Sequence, residues 1–232
     1  MLLKSDKPEY TKPYLILGEG QTECNLFYNL LRKHDFADNF NTDYAGGKAQ
    51  FTRKLNSIRP NEDFITNVKA ILLVADNDSD CCQAFADMQR QLRDTGWCGI
   101  PNEPLKLVES KENLASIAIM MMPESNKLGN TEQLCLEAAF SKWSDIQGPL
   151  AEYIAQVPAG TWDVSPKSVA QMECLLAAVC KEEPEHSLRD ILKKNLSDKY
   201  VPLDHMCFNR ILSYLRTFGD QLQVRVSEER VS

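Results

Sequence analysis

Basic runs are nearly missing from this chain. Among its 232 residues no stretch of consecutive lysine or arginine exceeds a pair such as Lys193-Lys194, and the formal net charge is −7. A protein that grips long nucleic acid alone normally presents a basic face. That composition therefore speaks against a simple DNA-binding role. Any nucleic-acid contact is expected to be small, bridged by a cation, or made with a partner protein. Long apolar runs are missing too. Ile117 to Met122 is far shorter than the roughly 20 residues a spanning helix needs, so no membrane partner is expected. Met1 to Lys12 is polar and lacks the apolar stretch of a secretory signal, which points to a cytoplasmic protein. No Cys-x-x-Cys occurs among the 8 cysteines, and Cys81-Cys82 is the one close pair. That argues against a disulfide framework and against zinc held by paired cysteines. The cysteines are expected to pack as small hydrophobes. Internal repeats and low-complexity tracts are also lacking.

What is present suits a packed core. Hydrophobic residues make up 43% and charged residues 25%, in a length that fits one large domain with or without a helical appendage. Residues 13 to 19 read as a buried strand ending at Gly18-Glu19-Gly20. Thr22 is placed to cap the next helix, in which Leu26, Phe27, Leu30 and Leu31 share a face. Tyr44 to Lys48 reads as a short strand and glycine turn, followed by a helix over Ala49 to Ile58. Val68 to Ala75 reads as a second strand, rich enough in β-branched and leucine residues to be covered on both faces. A helix capped by Ser79 or Asp80 runs to about Thr95, with Phe85, Met88 and Leu92 inward and Gly96 as its stop. Leu105 to Val108 is a weaker strand, and Ser116 to Met122 a third buried one ended by Pro123. A loop with Asn126, Gly129 and Asn130 leads into a helix from Thr131.

Strands alternating with helices predict an α/β fold with a mostly parallel sheet. Past Pro149 the pattern becomes helical, through Ile154, Leu175, Leu176, Ile191, Leu192, Ile211, Leu212 and Leu215. Gln223 to Val226 is a further weak strand. Residues 1–148 are thus expected to form the α/β domain and 149–232 a helical subdomain packed on it.

Two acidic segments terminate apolar runs: Gly18-Glu19-Gly20-Gln21-Thr22-Glu23 and Asp76-Asn77-Asp78-Ser79-Asp80. In open α/β sheets, ligands sit at the carboxyl ends of the strands. If the second strand continues briefly, Asp76 and Asp78 share a face and reach one hard cation, which takes oxygen ligands. Asp80 is a further or water-bridged ligand. Adjacent parallel strands lie roughly 5 Å apart, which lets Glu19 and Asp76 line one cleft. The glycines beside Glu19, Gly20 in particular, permit close approach of a phosphate to backbone N–H groups. Lys48, at a helix start after Gly46-Gly47, is a second phosphate contact, although the full Walker pattern is lacking.

Glu19-Gly20-x-Thr22-Glu23 together with Asp76-x-Asp78-x-Asp80 resembles the Toprim domain of topoisomerases, bacterial primases, OLD-family nucleases and small stand-alone Toprim-like proteins. The Glu-Gly-x-Thr-Glu start is similar to the OLD-like and stand-alone branch. Met122-Pro123-Glu124 followed by Gly129-Asn130-Thr131-Glu132 resembles the stand-alone branch as well. The resemblance spans about residues 13 to 145. It implies a compact parallel sheet covered by helices and an Mg²⁺- or Mn²⁺-dependent phosphodiesterase or nuclease. Carried over, Glu19 is the catalytic acid/base or a ligand. Asp76 and Asp78 are the metal pair, with Asp80, Glu132 and Glu124 as further ligands. The chain lacks the companion modules of the larger family members. The alternative is therefore a non-catalytic module that binds a metal–nucleotide or a partner protein.

Plainer readings compete at each position. An aspartate after a strand also serves as a helix cap, or as a phosphoryl acceptor in phosphatase or receiver-like folds. Glu19 and Glu132 also fit as acids favoured by a helix dipole. Gly46-Gly47-Lys48 also reads as a plain turn. His34, His186 and His205 are scattered and read as surface or helix residues. Trp97, Trp143 and Trp162 read as packing.

Overall fold

The computed structural model describes residues 9–97, 99–110 and 114–220. Four parallel strands, β1 (Tyr14–Gly18), β2 (Phe40–Tyr44), β3 (Ala70–Asp76) and β4 (Ser116–Met122), lie in the order β2-β1-β3-β4. Ten α-helices are described: α1 (Gln21–Lys33), α2 (Phe51–Ile58), α3 (Glu62–Asn67), α4 (Cys81–Asp94), α5 (Thr131–Lys142), α6 (Ser144–Gln156), α7 (Val164–Val179), α8 (Leu188–Lys193), α9 (Ser197–Tyr200) and α10 (Asn209–Phe218). The expected α/β class and C-terminal helical segment are both present.

Strand parity sorts the core, because successive side chains point to opposite faces. Ile16, Leu72, Val74, Ala118 and Met120 join one apolar cluster with α1, α5, α6, α7, α8 and α10. Leu15, Leu17, Ile71, Leu73, Ile117 and Ile119 join a second with α2, α3 and α4. The sheet is therefore sandwiched, which explains why β3 and β4 are apolar at nearly every position. The C-terminal helices share the first cluster with the sheet, and the expected boundary at 148/149 falls within α6.

Several elements differ from the sequence reading. The strand expected at Tyr44–Lys48 ends at Tyr44, and β2 is the polar segment before it. Its Asn41 and Asp43 are buried because each has a partner: Asn41 Nδ2 donates to the Lys12 and Tyr14 carbonyls, and Tyr10 Oη donates to Asp43. Helix α1 is capped at Gly20, and Thr22 lies inside it. Leu105–Val108 makes an isolated antiparallel bridge, Val108 to Ile117, and no strand. On α4, Ala84 is buried and Phe85 is partly exposed. Helix α3 was not expected at all. Gln223–Val226 lies outside the described residues.

The chain steps from β1 outward to β2, then crosses back over β1 to β3 and on to β4. Helix α1 lies on one face, and α2, α3 and α4 on the other. Right-handed crossovers require that exchange of faces when the direction reverses. The reversal puts the topological switch point, where such sheets form a crevice for ligands, between the carboxyl ends of β1 and β3.

Candidate functional site

Both acidic segments begin at that crevice. Gly18 pairs in register with Val74, so Glu19 and Asp76 leave neighbouring strands side by side. A Cβ on Gly18 would lie 2.7 Å from Cβ of Glu23, so glycine allows α1 to start directly over the strand end. The Gly20 N–H donates to the Glu23 carboxylate at 2.7 Å. Glu23 is thereby folded inward, with 5% of its surface exposed.

Glu19 is held on two sides. Its carbonyl accepts the Gly46 and Gly47 N–H groups at 3.1 and 2.9 Å, and its Oε2 accepts the Asp76 N–H at 3.4 Å. Burial, then the neighbouring Glu23 charge, push its carboxyl up to about 7, against the opposing pull of the Asp76 N–H and the Lys48 ammonium. Asp76 Oδ1 accepts both the N–H and the hydroxyl of Thr131, at 3.0 and 3.1 Å, where α5 begins. Its carboxyl lies well above the ordinary range through burial and the charges of Glu23, Glu19 and Glu132. Glu132 is pushed up to about 7 by burial and then by Glu23, Glu173 and Glu19. Four acids thus surround one strand end, and the Glu23 charge acts on the other three.

Asp78 and Asp80 go elsewhere. Asp78 has φ 53, and its N–H and carbonyl pair with the Gly129 carbonyl and N–H at 2.8 Å each. The strand does not continue past Asp76, so the expectation that Asp76 and Asp78 share an extended face fails. Gly129, at φ 123, supplies the other half of this tight bridge. Between them Asn77 is buried. Its amide donates to the Glu124 and Lys127 carbonyls at 2.5 and 2.8 Å, which ties that loop to the strand end. Lys48 Nζ donates to Asp78 Oδ2 at 2.6 Å and to the Asp76 carbonyl at 3.1 Å. Asp80 is exposed and caps α4 by accepting the Gln83 N–H at 2.9 Å. The Glu124 carboxylate faces Lys127 at 3.9 Å.

The structure therefore brings together Glu19, Asp76, Glu132 and, through Lys48, Asp78. It leaves Asp80 on the surface and commits the Gly20 N–H to Glu23. Glu23 belongs to the first acidic motif and has no assigned role there. The signal was available, because Glu23 falls on the same helical face as Leu26, Phe27 and Leu30. Thr131 and Asn77 carried no signal.

Crowded carboxylates repel unless protonated or neutralised by a cation. An all-oxygen donor set of this kind fits a hard ion such as Mg²⁺ or Mn²⁺. Glu19, Asp76 and Glu132 are each partly reachable from solvent, so an ion has access. Asp78 is already neutralised by Lys48 and would be recruited last.

The fold and crevice define an α/β protein with an acidic site at the switch point of a parallel sheet. The chain belongs to the family described as "Protein of unknown function (DUF3226)", which matches residues 13–219. Among solved structures it is similar to a hypothetical protein from Pyrococcus horikoshii OT3. That match has 15% identity and a TM-score of 0.51, covers 94% of this chain and 98% of the other, and bears on the fold alone. Comparison with curated proteins gave no match. Among the described residues no helix is long and apolar enough to cross a membrane.

Proposed function

We propose that the crevice binds Mg²⁺ or Mn²⁺ and hydrolyses phosphodiester bonds of nucleic acid in the manner of the Toprim-like proteins that the sequence resembles. The observation that carries this reading is the gathering of Glu19, Asp76 and Glu132 around the ends of two adjacent parallel strands, with Glu23 behind them. Asp76 and Glu132 are the principal ligands, and Asp78 joins them once Lys48 is displaced. A bound cation supplies Lewis-acid polarisation of a phosphoryl oxygen. Glu19 takes or returns a proton beside it. Lys48, freed from Asp78, meets a phosphate oxygen as a point charge. Asp80 and Gly20 have no part in this reading, because their groups are committed to the ends of α4 and α1. A partner protein that supplies basic surface belongs to the same proposal and follows from the charge of −7, as does a cytoplasmic location, which rests on the polar Met1 to Lys12 stretch.

A specific contact favours the second reading, a non-catalytic module that uses the crevice to bind a metal–nucleotide or partner protein. Lys48 at 2.6 Å from Asp78 already supplies a cation to the site. Incubation of the purified chain with single- and double-stranded DNA and RNA, with Mn²⁺ or Mg²⁺, separates the two. The first reading expects cleavage that Asp76→Asn/Asp78→Asn abolishes while circular dichroism is unchanged. Cleavage unaffected by the double substitution overturns it. Cation binding without turnover on any of these substrates favours the second.

A further inference from the structure

The middle of α5 carries a different donor set. Glu137 lies on α5, His205 precedes the short turn before α10, and Cys207 lies within that turn. One ligand atom from each lies within 4.8 Å of the other two. Among the described residues no acids of the crevice reach that spacing in a set of three. The donors here are one carboxylate oxygen, one imidazole nitrogen and one sulfur. Sulfur and imidazole suit Zn²⁺, whereas Mg²⁺ and Ca²⁺ prefer oxygen alone.

Local structure holds the three together. The Cys207 thiol donates to the Leu134 carbonyl at 3.6 Å. Leu134 lies one turn before Glu137, so thiol and carboxylate meet on one face of α5. The Cys207 N–H donates to His205 Nδ1 at 3.4 Å, which fixes the ring against the turn. Phe208, fully buried next to Cys207, anchors the segment in the core. Glu137 is exposed while His205 and Cys207 are half-buried, so an ion can enter. Ligand atoms of a tetrahedral zinc centre lie roughly 3.5 Å apart, and a small closure of this cluster achieves that.

We propose that Glu137, His205 and Cys207 form a zinc site, with water in the fourth position, that clamps the start of α10 to α5. Binding exchanges the Cys207 thiol proton for the metal and releases that proton to solvent. The site is independent of the acidic crevice and of the activity proposed for it.

Co²⁺ titration of the full chain under reducing conditions tests this directly, because thiolate ligation to Co²⁺ gives a sulfur-to-metal charge-transfer band. One equivalent should develop the band, and one equivalent of Zn²⁺ should bleach it. Cys207→Ser should abolish the band, and Glu137→Gln, on the surface, should weaken binding by more than about tenfold without disturbing the fold. Asp76→Asn/Asp78→Asn should retain the band in full. In the Asp76→Asn/Asp78→Asn background Zn²⁺ should raise the Tm, and adding Cys207→Ser should remove that rise. A missing band, or a band that survives Cys207→Ser and so reports another cysteine such as Cys81, overturns the proposal.

Discussion

Two groups of carboxylates lie at the same end of the sheet and meet opposite fates. Glu19, Glu23, Asp76 and Glu132 turn inward, and burial first and the Glu23 charge second raise the proton affinity of Glu19, Asp76 and Glu132. Asp78 and Asp80, two and four residues beyond Asp76, are drawn off by Lys48 and by the N-terminus of α4. The acidic motif is thus divided by backbone geometry. Asp78 sits at φ 53, a left-handed turn that breaks the alternation an extended strand would have kept. Residue type alone does not make a ligand. The direction in which the chain leaves the strand decides which acids share a site.

The largest expected effect is on cation affinity. Asp76→Asn keeps the Thr131 hydrogen bonds through its amide oxygen but removes the central charge, and should weaken Mn²⁺ binding by more than about tenfold in a calorimetric titration. Asp80→Ser, which retains a capping oxygen, should leave Mn²⁺ affinity unchanged. Equal losses in both would erase the distinction between inner and outer acids.

Next in size is the pH dependence of stability. Glu19, Asp76 and Glu132 have native pKa values above those of the unfolded chain. The native state therefore binds more protons, so this contribution is complete below the ordinary carboxylate range and is lost as pH rises through about 7. Without added cation, the Tm should be several degrees lower at about pH 8 than at about pH 5.5. Saturating Mn²⁺ should reverse the fall. Glu132→Gln should flatten the profile, and a profile unchanged in that variant would contradict the assignment.

Smaller effects concern the outer pair. Lys48→Met removes a partly exposed ion pair worth about 1 kcal/mol or less in urea unfolding. It should tighten Mn²⁺ binding by freeing Asp78, whereas weaker binding would show that Lys48 organises the site. Asp80→Ala should cost about 1 kcal/mol through the lost cap of α4, with no change in cation affinity.

Much of this framework was legible before the fold was known. β1, β3 and β4 announce themselves as apolar runs, and the start of α5 at Thr131 follows from the loop that holds Gly129 and Asn130. β2 was hidden because its buried positions include Asn41 and Asp43, whose partners Lys12 and Tyr10 lie far away in sequence. The pairing of Glu19 with Asp76 was foreseeable from two strands that end in acids. The loss of Asp78 to Lys48 was not, since it depends on the bridge to Gly129. The Glu137, His205 and Cys207 cluster likewise has no spacing signature, because α5 and the turn before α10 meet only after folding.

The most direct test is calorimetric titration of Mn²⁺ into wild type and Asp76→Asn/Asp78→Asn, with circular dichroism to confirm that both are folded. Both proteins also carry Cys207→Ser, which removes the thiolate of the second cluster, so that only the crevice reports. Binding in wild type that the double variant loses is the predicted result. Equal binding in both, or no binding in wild type, would contradict a cation site at the ends of β1 and β3.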